Sequence, residues 1–426
     1  MTSSDYDRRA VFAWATYDFA NSAFSALVLT FIFSTYFTKA IAPNEIVGTS
    51  LWSRGLTVSG LTVAFLSPFM GALADSGGYR KRFLFILTVI AVIATAVLYT
   101  ASSGDVLKAL AWFVIANTAI EMGMVFYNAF LPDIAPSAKI GRVSGYGWSF
   151  GYVGGLLAMV LAMVGFVEND TPWFGFSKEN GEHIRATNLL VAAWFAVFSI
   201  PLFIWVKEKR RNLDKRERVF VSTVRQLKNT ALEIRRYRQI VRLLLARIFY
   251  NDAILTIFSF GGIYAAGTFG FTFTEILIFG IVLNITAGIG AFALGFLDDL
   301  IGGKKTIVIS NLAFMAATLI AVFAPDKFWF WVAGIIVGTF SGPNQAASRS
   351  LMGRFVPPHK ENEYFGFYAF SGKATAFLGP LLLGILTKVF NSQRVGISVV
   401  FVLFLIGNFI LRFVDENEGK RVSGRG

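Results

Sequence analysis

The sequence predicts an all-α membrane protein, with twelve transmembrane helices in two six-helix bundles. Three observations predict it. The first is composition: of 426 residues, 55% are hydrophobic and 15% charged, where soluble domains carry about 25% charged residues. Mean hydropathy is +0.60. The second is patterning. A spanning helix needs about 20 apolar residues, and such runs fall at approximately 11–39, 52–74, 83–101, 109–131, 143–166, 186–206, 243–267, 274–297, 305–324, 328–350, 364–388 and 396–414. The third is an internal repeat that divides these runs into two halves. The expected organisation is a bundle over 1–206, a basic loop over 207–242 and a second bundle over 243–426.

The first run follows a polar N-terminus and is too long, with no small-residue cleavage pattern, for a removed signal peptide. It carries Asp18. Lipid makes a carboxylate costly, so Asp18 is expected to face protein or a water-filled cavity. At about 100° per residue Trp14, Asp18, Asn21 and Ser25 share a face, flanked by Tyr17 and Ser22. That stripe reads as cavity lining, with the seventh span across from it. In the fourth span Asn117 lies one turn before Glu121, the deepest carboxylate, which makes both candidates for substrate binding or coupling. Arg54, at the outer start of the second span, reads as snorkelling to headgroups or as an outer gate. Gly145, Gly147, Gly151, Gly154 and Gly155 crowd the fifth span and imply close helix packing.

The segment from Lys207 to Arg242 holds 13 Lys/Arg against 4 Asp/Glu. Arg80, Lys81 and Arg82, and later Lys304 and Lys305, lie on the same side. The Lys/Arg bias therefore predicts that both termini and the central loop are cytoplasmic. The same bias accounts for the basic balance without a nucleic-acid partner. Val224, Leu227, Ala231, Ile234 and Val241 recur at helical spacing in this loop and predict an amphipathic helix at the membrane surface.

In the second half, Asp252 opens the seventh span as Asp18 opens the first, and it shares a face with Thr256 and Ser259. Asn284 offers an amide in the eighth span. The tenth span ends in Ser341-Gly342-Pro343-Asn344-Gln345, where Gly-Pro is expected to break the helix and leave Asn344 and Gln345 free to meet a solute. Lys373, in the eleventh span, is the deepest basic residue. It either snorkels, pairs with a carboxylate or binds a substrate carboxylate. There are no cysteines, and both histidines, His183 and His359, fall in expected loops. No phosphate loop, metal-ligand set or Ser/His/Asp set occurs. The expectation is a protein without cofactor or metal that is not an enzyme.

The repeat can be read directly. Gly71, Leu73, Asp75, Gly78, Arg80 and Lys81 match Gly295, Leu297, Asp299, Gly302, Lys304 and Lys305 at constant offset. Parallel six-span repeats belong to transporters with a midplane site between bundles. The Gly71-x-Leu73-Ala74-Asp75-x-x-Gly78-x-Arg80 pattern resembles the signature of the major facilitator superfamily. It departs from it at Ser76 and Tyr79, and the second copy departs at Asp298, Leu300 and Gly303. The resemblance implies gating roles for Asp75 and Arg80, and for Asp299 and Lys304. Three further stretches are similar to the vacuole-effluxer-like branch of that superfamily, which includes autophagy-related fungal permeases. They are Trp14–Phe24, Tyr127–Ile134, and Phe355–Pro358 with Glu363–Tyr368 and Gly379–Leu382. That resemblance implies transport of a small solute, with amino acids as one class.

The expected function is secondary active transport of a small polar solute by alternating access, coupled to protons or another ion. The expected protein is a multi-pass monomer of a bacterial inner membrane, whose only other partner is the lipid bilayer. A non-transporting receptor or scaffold on the same fold is the alternative. A membrane enzyme or lipid flippase would want an intramembrane catalytic set, which the residues do not supply, or a lateral opening, on which the sequence is silent.

Overall fold

A computed structural model describes residues 6–208, 219–233 and 236–425. Among these residues, eleven segments are long and apolar enough to cross a membrane: Arg8–Ile41, Glu45–Gly77, Arg80–Thr100, Val106–Ile134, Ile140–Val167, Glu179–Trp205, Arg238–Phe269, Thr274–Ile301, Gly303–Phe323, Glu361–Phe390 and Gln393–Leu411. The twelfth, tenth in chain order, is the helix Lys327–Phe355. It misses the apolar standard because its second half is polar. They are numbered here as the first to twelfth spans. An even number of spans returns the chain to its starting side, here termed the terminal face.

Local chemistry sets the ends. Asn44 caps the second span by accepting the Val47 N–H, and Gly78 ends it in the left-handed region at φ 65°. Thr272 and Glu275 form a capping box at the start of the eighth. One buried apolar cluster gathers side chains from Ala10 to Val206. A second runs from Tyr237 to Val414 and takes in Val125 and Ala129 of the fourth span. The fifth-span glycines pack closely, as expected. A Cβ on Gly154 would stand 2.3 Å from the Phe19 carbonyl oxygen, and one on Gly145 2.5 Å from the Ala291 carbonyl oxygen of the eighth span.

Three elements differ from the sequence expectation. The seventh span begins at Arg238, so Val241 belongs to it and not to the loop helix. The loop helix itself runs Val219–Leu232; Ile234 and the side chains of Val224 and Ala231 lie outside the described residues. This helix does more than lie on the membrane surface. Gln226 accepts from the Ser76 hydroxyl of the second span at 3.0 Å and donates to Glu363 of the eleventh at 2.6 Å, so it joins both bundles at the terminal face.

The other two differences concern proline. Gly342-Pro343 does not break the tenth span, which continues through to Phe355. Pro343 frees the Thr339 carbonyl, and Gly290 of the eighth span packs against that oxygen. A Cβ at Gly290 would stand 1.9 Å from it. The eleventh span, expected whole, is instead two half-helices, Glu361–Lys373 and Leu378–Phe390. Pro380 lies in the first turn of the second half, where its missing N–H costs nothing.

Candidate functional site

The bundles meet through a graded series of polar contacts. At the terminal face, Asp75 ends the second span beside the start of the eleventh. Its carboxylate accepts the Glu363 backbone N–H at 2.8 Å and the Asn362 amide at 2.8 Å. Asp299 ends the eighth span beside the start of the fifth. Its carboxylate accepts the Gly141 N–H at 2.8 Å, the Arg142 N–H at 3.3 Å and the Arg142 side chain. Each copy of the repeat thus places a carboxylate on the first-turn N–H groups of a helix in the other bundle. Those groups lack intrahelical acceptors, and the helix dipole favours an anion there.

Arg80 adds a second layer. It bonds Asp133 at 2.7 Å within its own bundle and reaches Glu361 of the other at 3.3 Å. Its repeat mate Lys304 behaves differently. Lys304 Nζ donates to the Val414 and Arg412 carbonyls, and its N–H donates to Glu416, all within the second bundle. The cationic partner that lies beside Asp299 in its own bundle is Arg354, which also bonds Asp298 at 2.5 Å.

One turn deeper lies Arg349. Its Nη1 sits 2.9 Å from Asp18 Oδ2, and its Nε and Nη2 donate to the Ser144 hydroxyl and carbonyl at 2.9 and 2.7 Å. Its guanidinium also lies over the rings of Trp14, Tyr127 and Trp148, at 4.6, 5.7 and 5.6 Å. Asp18 and Arg349 are 6% and 2% exposed, so this cross-bundle pair is sealed from water. Gly147 makes room for it: a Cβ there would stand 2.5 Å from Asp18 Oδ2.

Other members of the first-span stripe turn inward. Trp14 donates to the Tyr127 carbonyl at 3.0 Å and stacks on its ring. Tyr17 pairs with Thr88 at 2.8 Å. Asn21 reaches Met124 Sδ at 3.5 Å. Tyr17 and Asn21 therefore pack within the first bundle, Ser25 is exposed, and Asp18 and the Trp14 ring meet Arg349 of the tenth span rather than the seventh. Asp252 resembles Asp18 in detail: Thr256 donates to the Asp252 carbonyl as Ser22 donates to that of Asp18. Its carboxylate accepts the Gly379 N–H of the eleventh span at 2.7 Å.

At mid-depth Glu121 and Lys373 face each other across the bundles at 2.8 Å, and both side chains keep 30% exposure. At about 1.5 Å per residue, Glu121 stands roughly 12 Å along its helix from Ala129, and Lys373 roughly 18 Å from Glu361. Among the described residues no hydrogen bond joins the bundles beyond this pair on the side away from the termini. Asn117 donates to Ser59 at 2.8 Å within the first bundle. Asn344 is fully buried and donates to Asn311, which donates to Asn408, in a relay inside the second bundle. It is not open to a solute as expected. Gln345 is half-buried beside it. Asn284 bonds its own helix at Gly280. Arg54 is exposed, more than two turns into the second span, which begins at Glu45.

Two helical bundles, closed on one face and joined at mid-depth by a partly exposed ion pair, define a membrane transporter of the major facilitator type. Comparison bears this out. The structure superposes on the Escherichia coli fucose:proton symporter FucP with a TM-score of 0.71 at 14% identity, over 96% of this chain and 98% of that one. Residues 38–424 match the family described as vacuole effluxer Atg22 like, and the chain belongs to that family. The uncharacterized MFS-type transporter YxiO of Bacillus subtilis is 28% identical over 414 residues, 96% of each chain. Autophagy-related protein 22 of Kluyveromyces lactis is 21% identical over 387 residues, 82% of this chain and 75% of that one. The protein is an integral, multi-pass membrane transporter and not an enzyme.

Proposed function

We propose that the chain moves a small polar solute by alternating access, rocking one bundle against the other around Glu121 and Lys373. The observation that carries this reading is that ion pair. A cation and an anion held 2.8 Å apart at mid-depth, each still partly exposed, are a preformed receiver for a zwitterion. An amino acid would set its carboxylate on Lys373 and its ammonium on Glu121, replacing each group's partner without leaving a charge unpaired. The resemblance to fungal permeases favours the same class.

Coupling fits the same residues. A proton on Glu121 would release Lys373, so the pair can exchange a proton and a solute. FucP is named as a proton symporter. Asp18 and Asp252 are the other carboxylates available to a coupling ion. Asp75, Arg80 and Asp299 act as the gate, with Lys304 supporting it through the segment after the twelfth span. The Lys/Arg bias places the terminal face in the cytoplasm, which makes the sealed state outward-open. FucP in its outward conformation superposes with a TM-score of 0.69. A bacterial plasma membrane suits the Bacillus relative, and the chain works as a monomer.

Uptake of radiolabelled amino acids into proteoliposomes under an imposed proton gradient tests this. The expected result is gradient-accelerated uptake whose acceleration Glu121→Gln abolishes. Flux that ignores both the gradient and Glu121→Gln would overturn the coupling. Amino acid binding without counterflow would favour a receptor or scaffold.

A further inference from the structure

The break in the eleventh span leaves two helix ends inside the membrane. The Gly372 carbonyl is left at the end of the first half and the Gly379 N–H at the start of the second, while the Leu378 N–H turns back to the Thr375 carbonyl. Backbone groups there need partners, because lipid offers none. Asn251 and Asp252 of the seventh span supply them, and Arg247 braces the last turn before the break. Arg247 Nη1 donates to the Tyr368 carbonyl at 2.9 Å and to the Ser371 hydroxyl at 3.1 Å, and its guanidinium lies 3.7 Å from the Tyr368 ring centre. Asn251 donates to the Gly372 carbonyl at 3.3 Å. Asp252 accepts the Gly379 N–H at 2.7 Å.

The match is one of sign as well as position. A guanidinium and an amide meet the carbonyl end of the first half, where the helix dipole is negative. A carboxylate meets the N–H end of the second half, where it is positive. In an unbroken helix the Gly379 N–H would bond the Thr375 carbonyl. Here Asp252 takes that carbonyl's place. Gly379 allows the approach, since a Cβ would stand 2.1 Å from Thr256 Oγ1 and 3.2 Å from Leu403. Asp252 is 1% exposed, and its Oδ1 has no hydrogen-bond partner among the described residues.

We propose that Asp252 is a positioning residue: with Asn251 and Arg247 it clasps the bend of the eleventh span, and the bend presents Lys373 to Glu121. Lys373 is the last residue of the first half-helix, so the angle of the break sets where its ammonium points. The seventh span thereby controls the mid-depth site without touching the solute. The effect on solute binding rests on the function proposed above; the clasp itself does not.

Spin-label distances test the clasp in the full chain. The sequence has no cysteine, so two introduced cysteines label cleanly. Ile46, at the start of the second span, is 85% exposed, and Val389, at the end of the eleventh, is 69% exposed. Asp252→Ala is expected to displace and broaden the distribution between labels at these positions. Asp252→Asn, which keeps an acceptor but no charge, should fall between Asp252→Ala and the parent, and it carries the test if Asp252→Ala does not fold. Lys373→Gln should leave the distribution unchanged. Solute KM should rise about tenfold in Asp252→Asn, the loss of one charged hydrogen bond's worth of placement. Distributions in both Asp252 variants identical to the parent would overturn the clasp. A displaced distribution with unchanged KM would overturn its link to the solute site. Loss of transport in neither Glu121→Gln nor Lys373→Gln would count against the proposed solute site alone.

Discussion

Asp18 and Arg349 form an ion pair at 2.9 Å that crosses the bundle interface out of reach of water. Breaking a buried pair by removing one partner costs about 3–5 kcal/mol, because the other charge is left uncompensated. That cost falls only on the sealed state, where the two residues meet. Asp18→Asn or Arg349→Gln should each shift the population toward the state open at the terminal face. A cysteine at Ala346, whose carbonyl accepts from Ser144 across the interface, should label faster from that side in both variants. The double variant should label no faster than the single ones, since the two losses are not additive. Unchanged labelling in the single variants would remove the pair from the seal.

Asp75 and Asp299 should behave as equivalent halves of one gate. Each caps a helix of the opposite bundle, and loss of such a cap costs about 0.5–2 kcal/mol. Asp75→Ala and Asp299→Ala are each expected to raise terminal-face labelling several-fold. Asp299→Ala should be the more severe, because it also strips a partner from Arg142 and Arg354. Labelling that responds to only one of the two would contradict a duplicated gate.

The helix Glu416–Ser423 closes the terminal face of the second bundle and should loosen in acid. Burial pushes the Glu416 carboxyl up, but the Lys420 hydrogen bond and the Arg354 charge outweigh it and hold the group below the usual carboxylate range. Gln239 and Arg238 hold Glu418 low in the same way. A folded-state value below the unfolded one, about 4.3, contributes stability above that pH and loses it as pH falls through the depressed value. Amide exchange in 416–423, corrected for the intrinsic pH dependence of exchange, should accelerate below about pH 4 and stay slow at pH 6. In Glu416→Gln it should already be faster at pH 6, with a weaker acid response. A pH-independent exchange rate would contradict this docking.

The twelve spans, the repeat and the Asp75 and Asp299 positions were legible because each rests on a run of residues or on a matched offset. Arg349 was not. A span ending near residue 350 puts that arginine at headgroup level, where a charge is ordinary. The signal was the polar run Ser341–Ser350, too polar for lipid and so meant for protein. Gly-Pro was misleading in a specific way. The pair occurs at Gly342-Pro343 and at Gly379-Pro380, and only the second accompanies a break. At the first, Gly290 leaves room for the freed carbonyl and the helix continues. At the second, Asn251 and Asp252 receive the two broken ends, and Arg247 braces the turn before them. The partner helix decides, and no single segment contains that information.

Glu121 and Lys373 could be singled out by depth, but their meeting could not, because it depends on how the fourth and eleventh spans face each other across the bundles. Counterflow of a labelled zwitterionic amino acid in proteoliposomes addresses that pair most directly. Glu121→Gln and Lys373→Gln should each reduce counterflow at least about tenfold, as expected for losing a charged hydrogen bond. The exchanged pair, Glu121→Lys with Lys373→Glu, should restore a measurable part of it. Counterflow at parental rates in both single variants would contradict the account.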